Sequence, residues 1–401
     1  MRHVKKRICA VCAVLCFGLL YLMKYWNFTA SALPSALGDK LPRWDFVVPM
    51  GLSYFIFQAV GYVIDVYRGK TDAQKNPLRY GLFVSFFPQL VAGPIERATN
   101  LLPQFLRPRT FDAAQAVDGL RQALWGFFKK IVVADNCAIL ANGIFDNYEN
   151  LSGGALVIGA VAFSFQIYGD FSGYSDIAIG ISRLFGFSLM RNFNYPYFSR
   201  DIAEFWRRWH MSLGSWFRDY IYIPLGGNRV KFGRWIFNIF VVWFITGFWH
   251  GAGWNFILWG LFFGVLLVLE KLFLKKWLDK LPAVFSHIYV LLAVMISFVI
   301  FSSKDNLGGF SQGLRHIGAM FGGAGVKFCS SETLYYLRDY AVVLLAGIIG
   351  STPLMKNTAK KLCEKWKPIE YAAPFIVAGI LIICTGELVD STFNPFLYFN
   401  F

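Results

Sequence analysis

Apolar stretches close to the roughly 20 residues that a helix needs to cross a bilayer recur along this chain. They lie at 8–26, 46–66, 154–187, 235–249, 254–274, 284–301, 340–352 and 372–384. Such a pattern leaves little choice of fold, because in hydrocarbon each backbone N–H and C=O must be satisfied within its own segment. The chain therefore reads as an all-α polytopic membrane protein, one integral membrane domain over 1–401. Its 56% hydrophobic content exceeds the roughly 45–50% of soluble domains. Several stretches are short, which predicts tilted, broken or re-entrant helices.

The net charge of +15 would suit nucleic acid, but the lysines and arginines are spread among the apolar segments. That is the distribution of cytoplasmic loops, and no nucleic-acid partner is expected. Arg2, Lys5, Lys6 and Arg7 favour a cytoplasmic N-terminus, and the basic loop 68–79 returns there after two crossings. The first segment reads as an anchor rather than a signal peptide, because it is long and no small-residue cleavage site follows it. Cys9, Cys12 and Cys16 lie within it and read as helix packing; no metal site is expected. The basic residues on both sides of 83–94 predict a helix that dips in and returns.

The longest polar break, 191–234, is rich in aromatic and basic residues. It predicts coil and short amphipathic helices at the membrane interface, with a turn at 224–229. The apolar run after it spans about 15 residues, or roughly 22 Å of helix, short of a bilayer core of about 30 Å. His250 at its end would therefore sit at a helix break inside the membrane, where an ionisable group is a functional candidate. A neutral imidazole there can take a proton from a hydroxyl, or it can simply hydrogen-bond a carbonyl as a packed core residue.

The second Trp-His pair, Trp209-His210, lies among Arg207, Arg208 and Arg218. These cations suit the phosphates of an anionic cofactor, although Asp201, Glu204 and Asp219 could pair them instead. Asp170, Ser172, Ser175 and Asp176 put carboxylates and hydroxyls into an apolar span. They could line a cavity or pair with Arg183. His3, His287 and His316 default to structural roles, and 322–325 to a loop. No phosphate-binding loop, zinc-protease helix, hydrolase elbow or paired C-x-x-C is present.

Taken together, Asn194-Tyr195-Pro196-Tyr197, the stretch 201–218, 222–229 and Trp249-His250-Gly251 resemble the membrane-bound O-acyltransferases, most closely the branch of bacterial alginate O-acetyltransferases. Further matching pieces are Lys24-Tyr25-Trp26-Asn27-Phe28, Gly51-Leu52-Ser53-Tyr54, Gly93-Pro94-Ile95-Glu96, 170–176 and the aromatic terminus 396–401. The resemblance implies a multi-helix bundle with re-entrant and interfacial helices around a central tunnel, in a multi-pass protein of the bacterial plasma membrane. It implies that His250 is catalytic and that His210 takes part. On this reading Arg207, Arg208, Arg218, Trp209 and Trp249 hold the donor, and Asp170, Ser172, Asp176 and Asn255 line the tunnel.

No cofactor is expected to stay bound. The co-substrate would be an acyl thioester, acetyl-coenzyme A or a phosphopantetheine-linked acyl group, supplied from the cytoplasm. The acceptor would be a polysaccharide outside the membrane lipid, reached with a hydrolase-like extracytoplasmic acetyl-transfer partner. Family members carry further apolar segments before the Lys24 stretch, so helices usual in the family are expected to be missing at the front. Two rivals are D-alanyl transfer from a carrier protein to teichoic acid, and a proton-coupled transporter or flippase relaying protons through His250, Asp170 and Asp176.

Overall fold

The computed structural model describes residues 2–303, 309–323, 325 and 327–390, and all regular structure among them is helical. The aromatic terminus 396–401 lies outside the described residues. Seven helices carry the argument: α1 (His3–Ala32), α2 (Leu52–Tyr67), α3 (Ala113–Phe128), α4 (Gly153–Leu184), α5 (Phe232–His250), α6 (Trp254–Leu278) and α7 (Ala283–Ser302). Of these, α1, α4, α5, α6 and α7 are long and apolar enough to cross a membrane. A bent pair, Ser331–Asp339 and Ala341–Gly350, meets at 63°, which makes the 340–352 region part of a broken span or of a re-entrant loop.

The expected span at 46–66 is shortened. Residues 46–50 are exposed and not helical, and α2 begins only after Gly51, whose φ of 76° is left-handed. A side chain there would also run into the carbonyl oxygen of Leu90, so glycine sets the start of the helix. The chain over 83–94 does turn back. A short helix, Pro77–Val84, gives way to turns and then to a second one, Ala98–Phe105.

At the centre runs α4, 32 residues and mostly buried. Membrane helices gain little by burying apolar side chains against each other rather than in lipid, so close association relies on small residues. Here Gly119 and Gly126 of α3 meet Gly180 and Gly173 of α4. A Cβ on Gly126 would stand 2.6 Å from the Gly173 oxygen, and one on Gly180 2.5 Å from the Gly119 oxygen. The same device joins α5 to α6 at Gly247 and Gly260, each Cβ position 2.3 Å from a carbonyl oxygen opposite. The outer faces carry exposed apolar side chains, such as Val11, Val14 and Leu15 on α1, as lipid contact requires.

The polar break contains short helices, as expected, at Ile202–Arg208 and Met211–Phe217. It is not laid on the surface, however. Phe205, Trp209, His210 and Trp216 are all buried, the first two rings within one apolar core and Trp216 within another. One core gathers around α4, α6 and α7 and the other around α2, with Phe171 packed against both.

Candidate active site

The site forms where α5 stops. The last carbonyls of a helix lack partners and carry partial negative charge. Here they are met from α1: Lys24 Nζ donates to the oxygens of Trp249 at 3.4 Å and His250 at 3.3 Å, and Tyr25 Oη donates to Trp249 at 2.8 Å. Lys24 and Tyr25 close a π-helical turn, Tyr21–Tyr25. Such bulges re-aim side chains and are frequent at functional sites.

Gly251 follows in extended conformation, φ −169°. Any residue adopts that backbone, so the reason for glycine is room: a Cβ would lie 2.1 Å from the Phe256 ring. The break runs over 251–253 and α6 starts at Trp254. His250 is thus at a helix break, as the short apolar run implied.

Its imidazole is half-buried, boxed by Trp249 and Trp259 at 4.8 Å between ring centroids and by Phe301 at 5.5 Å. Asn255 is buried and donates to the Phe301 oxygen at 2.9 Å, holding one wall of this box.

The two Trp-His pairs do share one place. Trp249 lies 6.2 Å from the His210 ring and 4.8 Å from that of His250, and Tyr54 of α2 packs on both Trp249 and His210. His210 is 1% exposed. Burial, and then the neighbouring His250, hold it well below the ordinary histidine value, so it is a neutral imidazole at physiological pH. It also has φ 44°, left-handed for a residue with a Cβ. That conformation costs of order 1 kcal/mol or more and tends to survive at functional sites.

The arginines of the polar break are met by carboxylates. Arg208 Nη2 lies 2.6 Å from Glu204, Arg218 Nε 2.9 Å from Asp219, and Arg207 3.8 Å from Asp201. Arg207 and Arg218 nevertheless keep about two thirds of their side-chain surface open. Trp209 is packed among Phe193, Phe205 and Phe298.

Asp170 and Asp176, read from the sequence as lining a cavity or pairing with Arg183, are paired with lysines. Lys130 lies 2.8 Å from Asp170 and 2.6 Å from Asp135, while Lys129 pairs with Asp176 and donates to Ser172 at 3.1 Å. A second π-helical turn, Lys129–Ala134, follows α3 and carries both lysines. These carboxylates therefore sit at a helix–helix interface, paired with two lysines.

Sequence reasoning missed Lys24, Tyr54 and the two lysines of the second π-turn as members of the site and its support. A lone lysine in an apolar helix is the signal that was available for Lys24. His287 Nδ1 donates to the Ser199 carbonyl oxygen at 2.9 Å, and His316 stacks on Tyr148, structural roles for both.

Comparison with known proteins agrees with the fold and the motifs. Residues 72–304 match MBOAT, the membrane-bound O-acyltransferase family. The chain is 40% identical to the probable alginate O-acetylase AlgI of Azotobacter vinelandii, over 96% of this chain and 82% of that protein. It is 32% identical to the peptidoglycan O-acetyltransferase of Helicobacter pylori, over 96% and 80%. Against the teichoic acid D-alanyltransferase of Bacillus subtilis the identity is 29%, over 71% and 75%. The chain belongs to the membrane-bound O-acyltransferase family, in its polysaccharide O-acetylation branch, and is a multi-pass bacterial membrane O-acyltransferase.

Proposed function

We propose that this enzyme takes an acetyl group from a cytoplasmic thioester, acetyl-coenzyme A or a carrier-bound equivalent, and passes it toward a polysaccharide outside the membrane. The observation that carries this reading is the half-buried His250 imidazole, set at a helix break with the buried His210 imidazole across Trp249. His250 takes the proton of the acceptor hydroxyl as its oxygen attacks the thioester carbonyl. The new C–O bond forms, the C–S bond breaks, and the departing thiolate recovers the proton from the imidazolium. General-base help of this kind is commonly worth roughly 10² to 10⁴ in rate.

Lys24, with its ammonium on the His250 carbonyl, fixes the helix end that aims the base. Arg207 and Arg218, the two open cations, are the donor-phosphate contacts, whereas Arg208 is tied to Glu204 and the Asn194 oxygen. A hydrolase-like partner outside the membrane completes transfer to the glycan. The identity to the two O-acetylating relatives supports acetyl over D-alanyl cargo.

The test is reconstitution of the full chain in lipid with acetyl-labelled coenzyme A, together with mass spectrometry of cell-envelope glycans from cells with and without the protein. Release or transfer of labelled acetyl and loss of glycan acetyl esters are expected. Loss of D-alanyl esters instead would overturn the cargo. Vectorial movement of a solute or lipid with no thioester cleavage would favour the transporter.

A further inference from the structure

Resting on the catalytic reading of the two histidines, we infer that Asn192 is a positioning residue that sets the tautomer of His210 and leaves its Nε2 as a bare acceptor. Asn192 is 1% exposed and grips the 210–212 turn from both its main chain and its side chain. Its carbonyl oxygen accepts from Met211 N at 2.9 Å. Its Oδ1 accepts from Ser212 N at 3.2 Å and from Ser212 Oγ at 2.9 Å, and lies 3.1 Å from His210 Nδ1. Its Nδ2 donates to Ser175 Oγ of α4 at 3.2 Å.

A backbone N–H can only donate, so the atom facing Ser212 N is the amide oxygen, and the orientation of the amide follows. An amide oxygen can only accept, so Nδ1 of His210 carries the proton. In the neutral ring Nε2 then holds a lone pair. That nitrogen is buried and has no hydrogen-bond partner among the described residues. A buried acceptor with no partner among the described residues calls for an explanation, and the left-handed backbone at His210 shows that the turn is held in place at a conformational cost.

The His210 ring is packed by Phe171 at 4.6 Å, Trp249 at 6.2 Å and Tyr54 at 6.4 Å between ring centroids. The titratable groups facing it are the Tyr54 phenol from α2 and His250 from α5. On α4 the carboxylates Asp170 and Asp176 are matched by Lys130 and Lys129, and in the 202–208 helix Arg208 is matched by Glu204. Nε2 of His210 is thus a second acceptor for the hydroxyl proton or hydrogen bond that the proposed chemistry requires, kept available because Asn192 occupies the other nitrogen.

Histidine-labelled full-length protein in lipid tests this by nitrogen NMR, with the His210 signals assigned as those lost in His210→Gln. A protonated Nδ1 and an unprotonated Nε2 at neutral pH are expected. In Asn192→Asp the acceptor oxygen remains and the tautomer persists. The added carboxylate favours the imidazolium, so the acidic limb of the acetyl-coenzyme A-dependent rate moves to higher pH by on the order of one unit. Asn192→Leu should lose kcat about tenfold or more with KM little changed.

A proton on Nε2 in the wild type, or an Asn192→Asp profile at the wild-type pH, overturns the inference. If Asn192→Leu fails to fold, the spectrum and the Asp variant still decide. The spectrum is read without turnover. A correct tautomer in a chain that cleaves no thioester therefore refutes the proposed reaction, and an incorrect one in an active enzyme refutes only the role of Asn192.

Discussion

Lys24 shows how one side chain can be expensive in a bilayer and still belong there. Its charge meets the carbonyls of Trp249 and His250 at the end of α5, so a side chain 226 residues away in sequence holds the end of the helix that carries His250. Lys24→Met is expected to lower thermal stability by about 0.5–2 kcal/mol, the range for a cation at a helix end, and to reduce turnover more than that change explains. Melting the purified variant alongside acyl-transfer kinetics checks both. Tyr25→Phe, which removes one neutral hydrogen bond, should cost about 1 kcal/mol.

The pH dependence follows from His210. Its value is depressed by burial and by His250, and the active form is neutral, so protonation of His210 should not lower the rate until the pH falls below the ordinary histidine value of about 6.5. The acidic limb should appear only below it in a pH–rate profile. For Asp170 and Asp176 the sequence offers Arg183 on the same helix as one partner. The helix seam brings in lysines from a different one.

At the scale of elements, the glycine seam between α3 and α4 makes a sharp prediction. Gly126→Val places a branched side chain against the Gly173 oxygen and Ile177 and should sharply reduce folded yield. Gly143→Ala, further along the same run of helix and with nothing within 4 Å, should be neutral or slightly stabilising. Size-exclusion profiles of the two variants distinguish them.

Breaking the buried pair tests a second interface. Lys130→Met removes the ammonium shared by Asp170 and Asp135 and should cost about 3–5 kcal/mol, whereas Lys130→Met combined with Asp170→Leu should recover part of it. Unfolding of the single and double variants reads the difference. Apolar length alone placed α1, α4, α5, α6 and α7 within a few residues. It failed at 46–66, where the left-handed Gly51 under the Leu90 carbonyl delays the helix, a contact 39 residues away that no local pattern carries.

For the whole molecule, the motif that named the family also named the two histidines, but not their relation. That His210 and His250 share Trp249 depends on a left-handed turn, a helix break and a packed tyrosine from α2. Each is a tertiary fact. The polar break looked interfacial because it is rich in arginine and tryptophan. In the structure those arginines are met by Asp201, Glu204 and Asp219 while the rings turn inward.

The central claim is that the half-buried imidazole at the end of α5 is the general base of the proposed acyl transfer. The direct measurement compares wild type, His250→Ala and His250→Gln for transfer or hydrolysis of labelled acetyl-coenzyme A in lipid, with melting curves confirming that each is folded. A loss of about 10² to 10⁴ in kcat in both variants, at nearly unchanged stability, is the predicted result. Wild-type turnover in a folded His250→Ala protein would contradict it.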